Sequence, residues 1–560
     1  MPAGLGGARL YAMADNGNPL VTRRSWHRPP VVLAGAMGVL CATSLLGLLV
    51  DDRTLVNVPI WPAGPARTAS AGFCRNSEIR PVDRDPRRKA VEMVHPQALL
   101  DELRRAPGVP AFERGSRVTT RGELRELIGR FAAGLRAAGL GPGDGVGIAT
   151  GVTPEGFAAL VAAHVLGARA VAVRAGLPEA QLRHILGDVD VLITDEPWEA
   201  GVPVLPVGDL LSAAYAEPVP RGQPGDIATV VFTSGSTGVP KGVAYDYRAL
   251  TEGRVWRPPV PGSAHERLGA GFGRFLLFGS LASAVMVEQL AVCLFAGGTA
   301  VIPEELPDFP WVLPRLGITA ALTTVPRLHQ ILDVLRGSEV ELGGPRTLIV
   351  AGSPVPPHTL AEAAERIGPA MHHAYGQTET GMLTICRAGE GVGSVGKACD
   401  TVEIDVRDGE VWVRTPSAFA GYWRDPAATA EVLRDGWVRT QDLGFVDTGG
   451  YLHLSGRARD VVIVNAIIHY TGPIERAIAA HPDVDQAYVV AVPDSLTGEA
   501  AHAFVVPVPG REPDFGSLRK AVATELGEAA VPARFSVVPS IPVAPSGKPD
   551  KAALRASIMD

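Results

Sequence analysis

The chain has 560 residues, 46% of them hydrophobic and 20% charged, with a net charge of −7. That length excludes a small stapled scaffold and predicts more than one domain, while the charge balance gives no reason to expect a nucleic-acid partner. Five cysteines, Cys41, Cys74, Cys293, Cys386 and Cys399, show neither a CxxC pair nor zinc spacing, which fits a reducing, cytoplasmic setting and no structural metal.

The first 92 residues stand apart. Val31 to Val50 form an apolar run long enough to span a bilayer, preceded by Arg23, Arg24 and Arg28, as a signal or anchor would be. The run is rich in Ala and Gly, however, and no sustained periodicity follows until about Met93. Codons for Arg87-Arg88-Lys89 can supply a purine-rich ribosome-binding site. The reading therefore favours an over-extended start, with a membrane anchor or a cleaved export signal as alternatives. Membrane association is expected only if the 31–50 segment is expressed.

From Met93 onward helices alternate with short apolar runs, the pattern of α/β folds. Arg121 to Ala138 places Leu124, Leu127, Ile128, Phe131 and Leu135 on one face, with Gly139 as a stop. GVGIAT, ARAVAV, DVLIT, TVVFT, TAVIP and TLIVAG are strand candidates, predicting twisted, mainly parallel sheets. After about Gly391 the texture becomes short strands and turns, with a hairpin around Asp408-Gly409. The expected organisation is a large N-terminal domain, 93–458, with a β-rich subdomain, and a small mobile α+β C-terminal domain, 459–560.

Only six of the 52 basic residues are lysine, a point of interest because a compact ammonium and a planar guanidinium serve different sites. One of them, Lys241, ends the stretch TSGSTGVPKG, which follows the apolar run ATVVF. A Gly-rich turn after a strand presents backbone N–H groups in a concavity, and hydroxyls with a lysine add donors suited to a polyphosphate. It is not a Walker A loop, since Pro240 and Gly242 flank the lysine where Gly and Ser/Thr are required. Gly391 to Gly396 matches GxGxxG but leads into a β-rich stretch, so it is not a dinucleotide fingerprint. His372-His373 lack a third ligand and suit a pocket wall or core better than a metal.

TSGSTGVPKG resembles the phosphate loop of the ANL superfamily of adenylate-forming enzymes. In the right order and spacing follow Tyr375-Gly376-Gln377-Thr378-Glu379-Thr380, Gly393-Ser394-Val395-Gly396, Gly421-Tyr422-Trp423, Gly436 to Gly444, Gly456-Arg457-Ala458-Arg459-Asp460 and Pro545-Ser546-Gly547-Lys548. The resemblance covers everything after about Met93. It implies attack of a substrate carboxylate on the α-phosphate of ATP, giving acyl-AMP and pyrophosphate, then transfer to the thiol of CoA or of a carrier-protein phosphopantetheine. Thr233, Ser234, Gly235, Ser236, Thr237, Gly238 and Lys241 would grip the β- and γ-phosphates. Thr378 would donate to the α-phosphate, and Glu379 would hold Mg2+. Tyr375, Gly376 and Gln377, with Gly352 and Ser353, would line the adenine. Asp442 would accept from the ribose, Arg457 would reach ribose or phosphate, and Lys548 would bridge the substrate carboxylate and the α-phosphate. Arg459 occupies the hinge about which the C-terminal domain rotates between half-reactions.

Two departures stand out. Asn465-Ala466 replaces a Gly-Gly pair that lines the family's thiol tunnel, and Gln441 stands where glycine is usual. Side chains at Asn465-Ala466 are expected to narrow the tunnel or change its backbone angles, which leaves open an amine or other non-thiol acceptor; a non-catalytic nucleotide binder is a separate alternative. In the acyl pocket, Gly279 and Ser280 are small, and Phe278 and Met382 are candidate walls, suggesting room for a bulky or elongated apolar acid. The segment reads equally as a core helix.

Overall fold

The computed structural model describes residues 94–558 apart from 175, 199–200, 234–239, 306, 339–340, 466, 495 and 545–546. The segment 31–50 and the doubtful start lie outside the described residues. Among those described, no helix is long and apolar enough to cross a membrane.

Thr120 closes one strand and opens the helix Arg121–Ala137. Its hydroxyl accepts from the Glu123 N–H at 3.2 Å, and the Glu123 carboxylate accepts from the Thr120 N–H at 2.7 Å, a reciprocal cap contributing about 1 kcal/mol. The predicted face is the buried one: Leu124, Ile128, Phe131 and Leu135 have no exposed surface. Pro154–Leu166 is apolar all round, is capped by Thr153, and stops at Gly167 in the left-handed region. It belongs inside, and its Phe157 is fully buried; truncating that ring to Ala costs about 3–5 kcal/mol.

These helices and Ala284–Phe295 share one apolar cluster with strands of two large sheets. In the larger sheet six strands run parallel, in the order Met371–Gln377, Thr347–Val350, Ala320–Thr323, Arg274–Leu276, Thr299–Val301 and Pro110–Arg114. Antiparallel strands extend both edges. The second sheet runs Ile227–Thr233, Arg169–Ala172, Gly145–Ala149, Val191–Thr194 and Val204–Pro206 in parallel, with Lys241–Asp246 and Gly421–Tyr422 antiparallel at one edge. Strands such as Val191–Thr194 and Thr347–Val350 are buried throughout, which is why they read as unbroken apolar runs rather than alternations.

A third, antiparallel sheet contains the expected hairpin, Glu403–Arg407 with Glu410–Arg414. Asp408 and Gly409 both have positive φ, 50° and 79°, the tight-turn geometry that matches strand twist. The last sheet pairs Ile467–Tyr470, Val461–Val464, Gly498–Pro507 and Val484–Asp494 antiparallel and adds Arg534–Val537 in parallel. Helices Thr471–Ala479 and Phe515–Leu526 bury Ile474, Ile478, Leu518 and Val522 against it. It meets the larger sheet's helix Val325–Gly337 through Asp485, whose Oδ2 is 2.9 Å from His329 Nδ1 and whose Oδ1 is 3.3 Å from the Arg336 guanidinium.

Candidate active site

In parallel sheets the crevice beyond the strands' C-terminal ends is the usual place for a ligand. Gly352 and Ser353 follow Thr347–Val350 there, and Tyr375, Gly376 and Gln377 end the neighbouring strand. The chain then turns through Thr378, Glu379 and Thr380 before returning as Gly381–Arg387.

Asp442 is the most densely partnered acid at this edge. It lies opposite Arg457 on paired strands and is 3% exposed. Its Oδ2 accepts from the Tyr375 hydroxyl and from Gln377 Nε2, both at 2.6 Å, and its Oδ1 accepts from Arg457 Nε at 3.0 Å. Burial and the adjacent carboxylate push the Tyr375 phenol well above its ordinary pKa, so it remains a donor. Arg457, expected at ribose or phosphate, and Asp442, expected at ribose, also pair with each other. Only one of the donors to Asp442 is on Oδ1, so the carboxylate keeps an acceptor site for a ribose hydroxyl. Gln441, just before it, has φ 59°, which supplies the physical reason glycine suits that position.

Glu379 accepts from the Tyr422 hydroxyl at 2.8 Å, and Lys241 Nζ lies 5.0 Å from the centre of the same ring, within cation–π range. Tyr422 reaches this position because Gly421–Tyr422 pairs with Lys241–Asp246. The sequence marked Gly421-Tyr422-Trp423 as a motif but gave Tyr422 no role. Ser234, Gly235, Ser236, Thr237 and Gly238 lie outside the described residues. Thr233 and Lys241, which flank them, face each other across an antiparallel pair, so the segment joins two strands of a hairpin and not a strand to a helix.

Lys548 arrives from the C-terminal sheet's side of the molecule. Its Cε lies 3.5 Å from where a Cβ would stand on Gly352, ordinary van der Waals contact, so the lysine stem runs directly over that glycine. Burial lowers the ammonium pKa most, Arg457 and Arg459 lower it further, and Glu379 and Asp442 oppose them. Three cations thus face two carboxylates, an excess of one positive charge suited to a polyanion. Lys548, Gly352, Glu379, Asp442, Arg457 and Arg459 are therefore brought to one place. Arg459 itself is exposed, in the turn between Leu452–Arg457 and Val461–Val464, where the third sheet ends and the fourth begins.

Phe278 and Met382 pack on the same apolar cluster. The Phe278 ring is tilted against Phe309, with the Arg327 guanidinium 4.8 Å from its centre. Gly279 is exposed at φ 88°, and Ser280 Oγ accepts from the Ala282 N–H. The helix begins only at Ala284, so Phe278 to Ser280 form a loop, not the core helix that was the alternative reading. His373 is buried in its strand, and the His372 Nδ1 bonds the Ala370 carbonyl. Asn465 has φ 50°, and its N–H donates to the Thr497 carbonyl at 3.0 Å.

Comparison with known proteins places this geometry. Residues 99–423 match the model of the AMP-binding enzyme family, and 473–548 match the AMP-binding enzyme C-terminal domain. Feruloyl-CoA synthase from an Amycolatopsis species is 32% identical over 80% of this chain and 95% of its own length. Among solved structures, the amide bond synthetase McbA from Marinactinospora thermotolerans is 32% identical, with a TM-score of 0.71 over 82% of this chain and all of the other. The o-succinylbenzoate CoA synthetase MenE from Bacillus subtilis, in complex with its acyl-adenylate intermediate, is 25% identical, with a TM-score of 0.69 over 84% of this chain and 99% of the other. With the family model covering more than half of the sequence and the sheets arranged alike, the chain belongs to the AMP-binding enzyme family, the ANL superfamily of adenylate-forming enzymes.

Proposed function

We propose that this enzyme activates a carboxylic acid with ATP and passes the acyl group to a thiol, that of CoA or of a carrier-protein phosphopantetheine. In the first step a carboxylate oxygen forms a bond to the α-phosphorus, the bond to the bridging oxygen breaks, and pyrophosphate leaves. In the second, the thiol sulfur attacks the acyl carbonyl and AMP leaves. The observation that carries the reading is Lys548 lying over Gly352, with Glu379 and Asp442 within electrostatic reach of its ammonium. A fixed cation at that point offsets the charge that builds between two anions as they react.

Thr378, in the turn beside Glu379, carries a partly exposed hydroxyl for the α-phosphate. Thr233, Lys241 and the intervening loop take the β- and γ-phosphates. Among the described residues no cluster of three or more His, Cys, Asp or Glu can hold a metal. A cation here needs substrate phosphates as well as Glu379, whose Oε1 is fixed by Tyr422, and that donor set suits Mg2+. Bound there, Mg2+ would supply charge neutralisation on the phosphates. Arg459 serves as the hinge between a large domain, 93–458, and a small one, 459–560.

Lys548→Ala is expected to lower acid-dependent pyrophosphate release by about 10²–10³-fold, the usual effect of losing one transition-state charge donor, while ATP binding is largely retained. Unchanged pyrophosphate release in this variant overturns the mechanism. A second reading, capture of the acyl-adenylate by an amine, is favoured by the likeness to an amide bond synthetase and by Asn465. Mass spectrometry of products formed with CoA, carrier protein or amines separates the two.

A further inference from the structure

One enclosed carboxylate takes no part in the arrangement above. Glu288 lies on the second turn of the helix Ala284–Phe295. Its Oε1 is 3.2 Å from where a Cβ would stand on Gly381, two residues beyond Glu379. Tyr245 connects the two acids, because its phenol feels the charge of both Glu288 and Glu379. The Tyr245 hydroxyl is buried and has no hydrogen-bond partner among the described residues. Glu288 is partly exposed. The cation nearest in effect is Arg254, whose guanidinium donates to the Met382 carbonyl at 3.0 Å; no described residue donates a hydrogen bond to Glu288. Burial accordingly pushes its carboxyl up to about 7.

Glu288 thus lies against Gly381, two residues from Glu379, and Tyr245 lies within electrostatic reach of both acids. On the adenylation reading, the acyl portion of an acid held between Glu379 and Lys548 lies next to Gly381, and so next to Glu288. A wholly apolar acyl group, the kind expected from the small residues Gly279 and Ser280, would cover Glu288 and Tyr245 and leave both without a partner. We propose that Glu288 is a specificity-determining residue that, with Tyr245, receives a hydrogen-bond donor, N–H or O–H, on the acyl portion of the acid. This rests on the adenylation reading. It deepens it by naming the substrate class: a donor-bearing acid in place of a plain hydrocarbon one.

The test uses the full chain with ATP and Mg2+, reading acid-dependent pyrophosphate release for three matched pairs. These are 4-hydroxycinnamate against 4-methylcinnamate, indole-3-acetate against 1-methylindole-3-acetate, and 6-aminohexanoate against heptanoate. In at least one pair the donor-bearing member is expected to lead by about 10- to 100-fold in kcat/KM, the range for leaving a buried polar group unpaired. Glu288→Leu should bring that ratio to within about twofold, chiefly by raising the apolar member, with the KM for ATP unchanged. Glu288→Gln keeps an acceptor oxygen without charge, so it retains preference for O–H or neutral N–H and loses it for an ammonium. If Glu288→Leu fails to fold, the Gln variant carries the decision. Equal or greater use of the apolar member in every pair, or ratios untouched by both substitutions, overturns the assignment. Absence of acid-dependent pyrophosphate release with all six acids overturns the adenylation reading, and the assignment with it.

Discussion

Asp485→Asn removes the charge that joins the C-terminal sheet to the helix Val325–Gly337 and keeps the side chain's size. Asp485 is 4% exposed, and its carboxyl pKa is lowered: burial raises it, but His329 and Arg336 outweigh that. His329 Nδ1 lies 2.9 Å from the Asp485 carboxylate without hydrogen-bond alignment, so the contact is an ion pair only when the imidazole is protonated. Arg336 does not depend on Asp485, because it also holds Glu362 at 2.6 and 2.9 Å and Asp333 at 2.7 Å. The loss therefore falls between that of a surface pair, about 0–1 kcal/mol, and that of a broken buried pair, about 3–5 kcal/mol. About 2 kcal/mol is a fair figure, roughly a thirtyfold change in an equilibrium between two placements of the C-terminal sheet. Lys548 comes from the same side of the molecule, so weakening this contact should withdraw it from Gly352 more often. Pyrophosphate release by D485N is expected to fall several-fold to about thirtyfold, with Tm lowered by only a few degrees. A rate for adenylation unchanged within twofold would refute the idea that this contact holds the lysine in place.

Gln441→Gly relieves a left-handed residue in the strand carrying Asp442, and is expected to stabilise the fold by up to about 1 kcal/mol, after the entropy that glycine adds to the unfolded chain; a lower midpoint in urea would contradict the strain. His95 Nε2 and His164 Nδ1 are 3.0 Å apart in the core, and His164 Nε2 lies 2.8 Å from Thr229 Oγ1. Burial lowers the pKa of both, His164 from 6.5 to about 4. The unfolded chain thus binds more protons below pH 6.5, so the stability is present above that pH and falls as pH drops toward 4, by about 3 kcal/mol for His164 alone. A Tm that stays flat from pH 7 to 4.5 would count against this. Asn465→Gly should raise thioester formation with CoA relative to pyrophosphate release if the side chain obstructs the thiol path. An unchanged ratio removes Asn465 from the choice of acceptor.

Elements marked by local punctuation were legible from sequence. Gly139, Gly167 and the Asp408-Gly409 turn stop or reverse the chain for reasons contained in a few residues, and apolar runs such as TLIV are buried strands because helices cover both faces. The site was legible where its chemistry is carried by ordered motifs, which is how Lys548, Glu379 and Asp442 came to be named together. Contacts that depend on which distant strands pair were not. Tyr422 reaches Glu379, 43 positions away, only because Gly421–Tyr422 adds an edge to the second sheet. Glu288 reads, with Gln289, as one of two polar positions in an apolar helix, and nothing local says that it faces Gly381. Asp485 sits at a register irregularity of its strand, which no alternation pattern specifies.

The two departures from the family's glycines share a physical form. Gln441 and Asn465 both hold positive φ, 59° and 50°, so the backbone path that glycine would allow is kept, at the cost of strain that asparagine tolerates better than glutamine. What differs is the presence of a side chain. At Gln441 that adds bulk next to Asp442, whose carboxylate is already engaged by three protein donors. At Asn465 the family resemblance puts that side chain beside the acceptor's approach. A left-handed backbone at Asn465 is compatible with the proposed thiol acceptor, while its side chain is the feature that favours an amine.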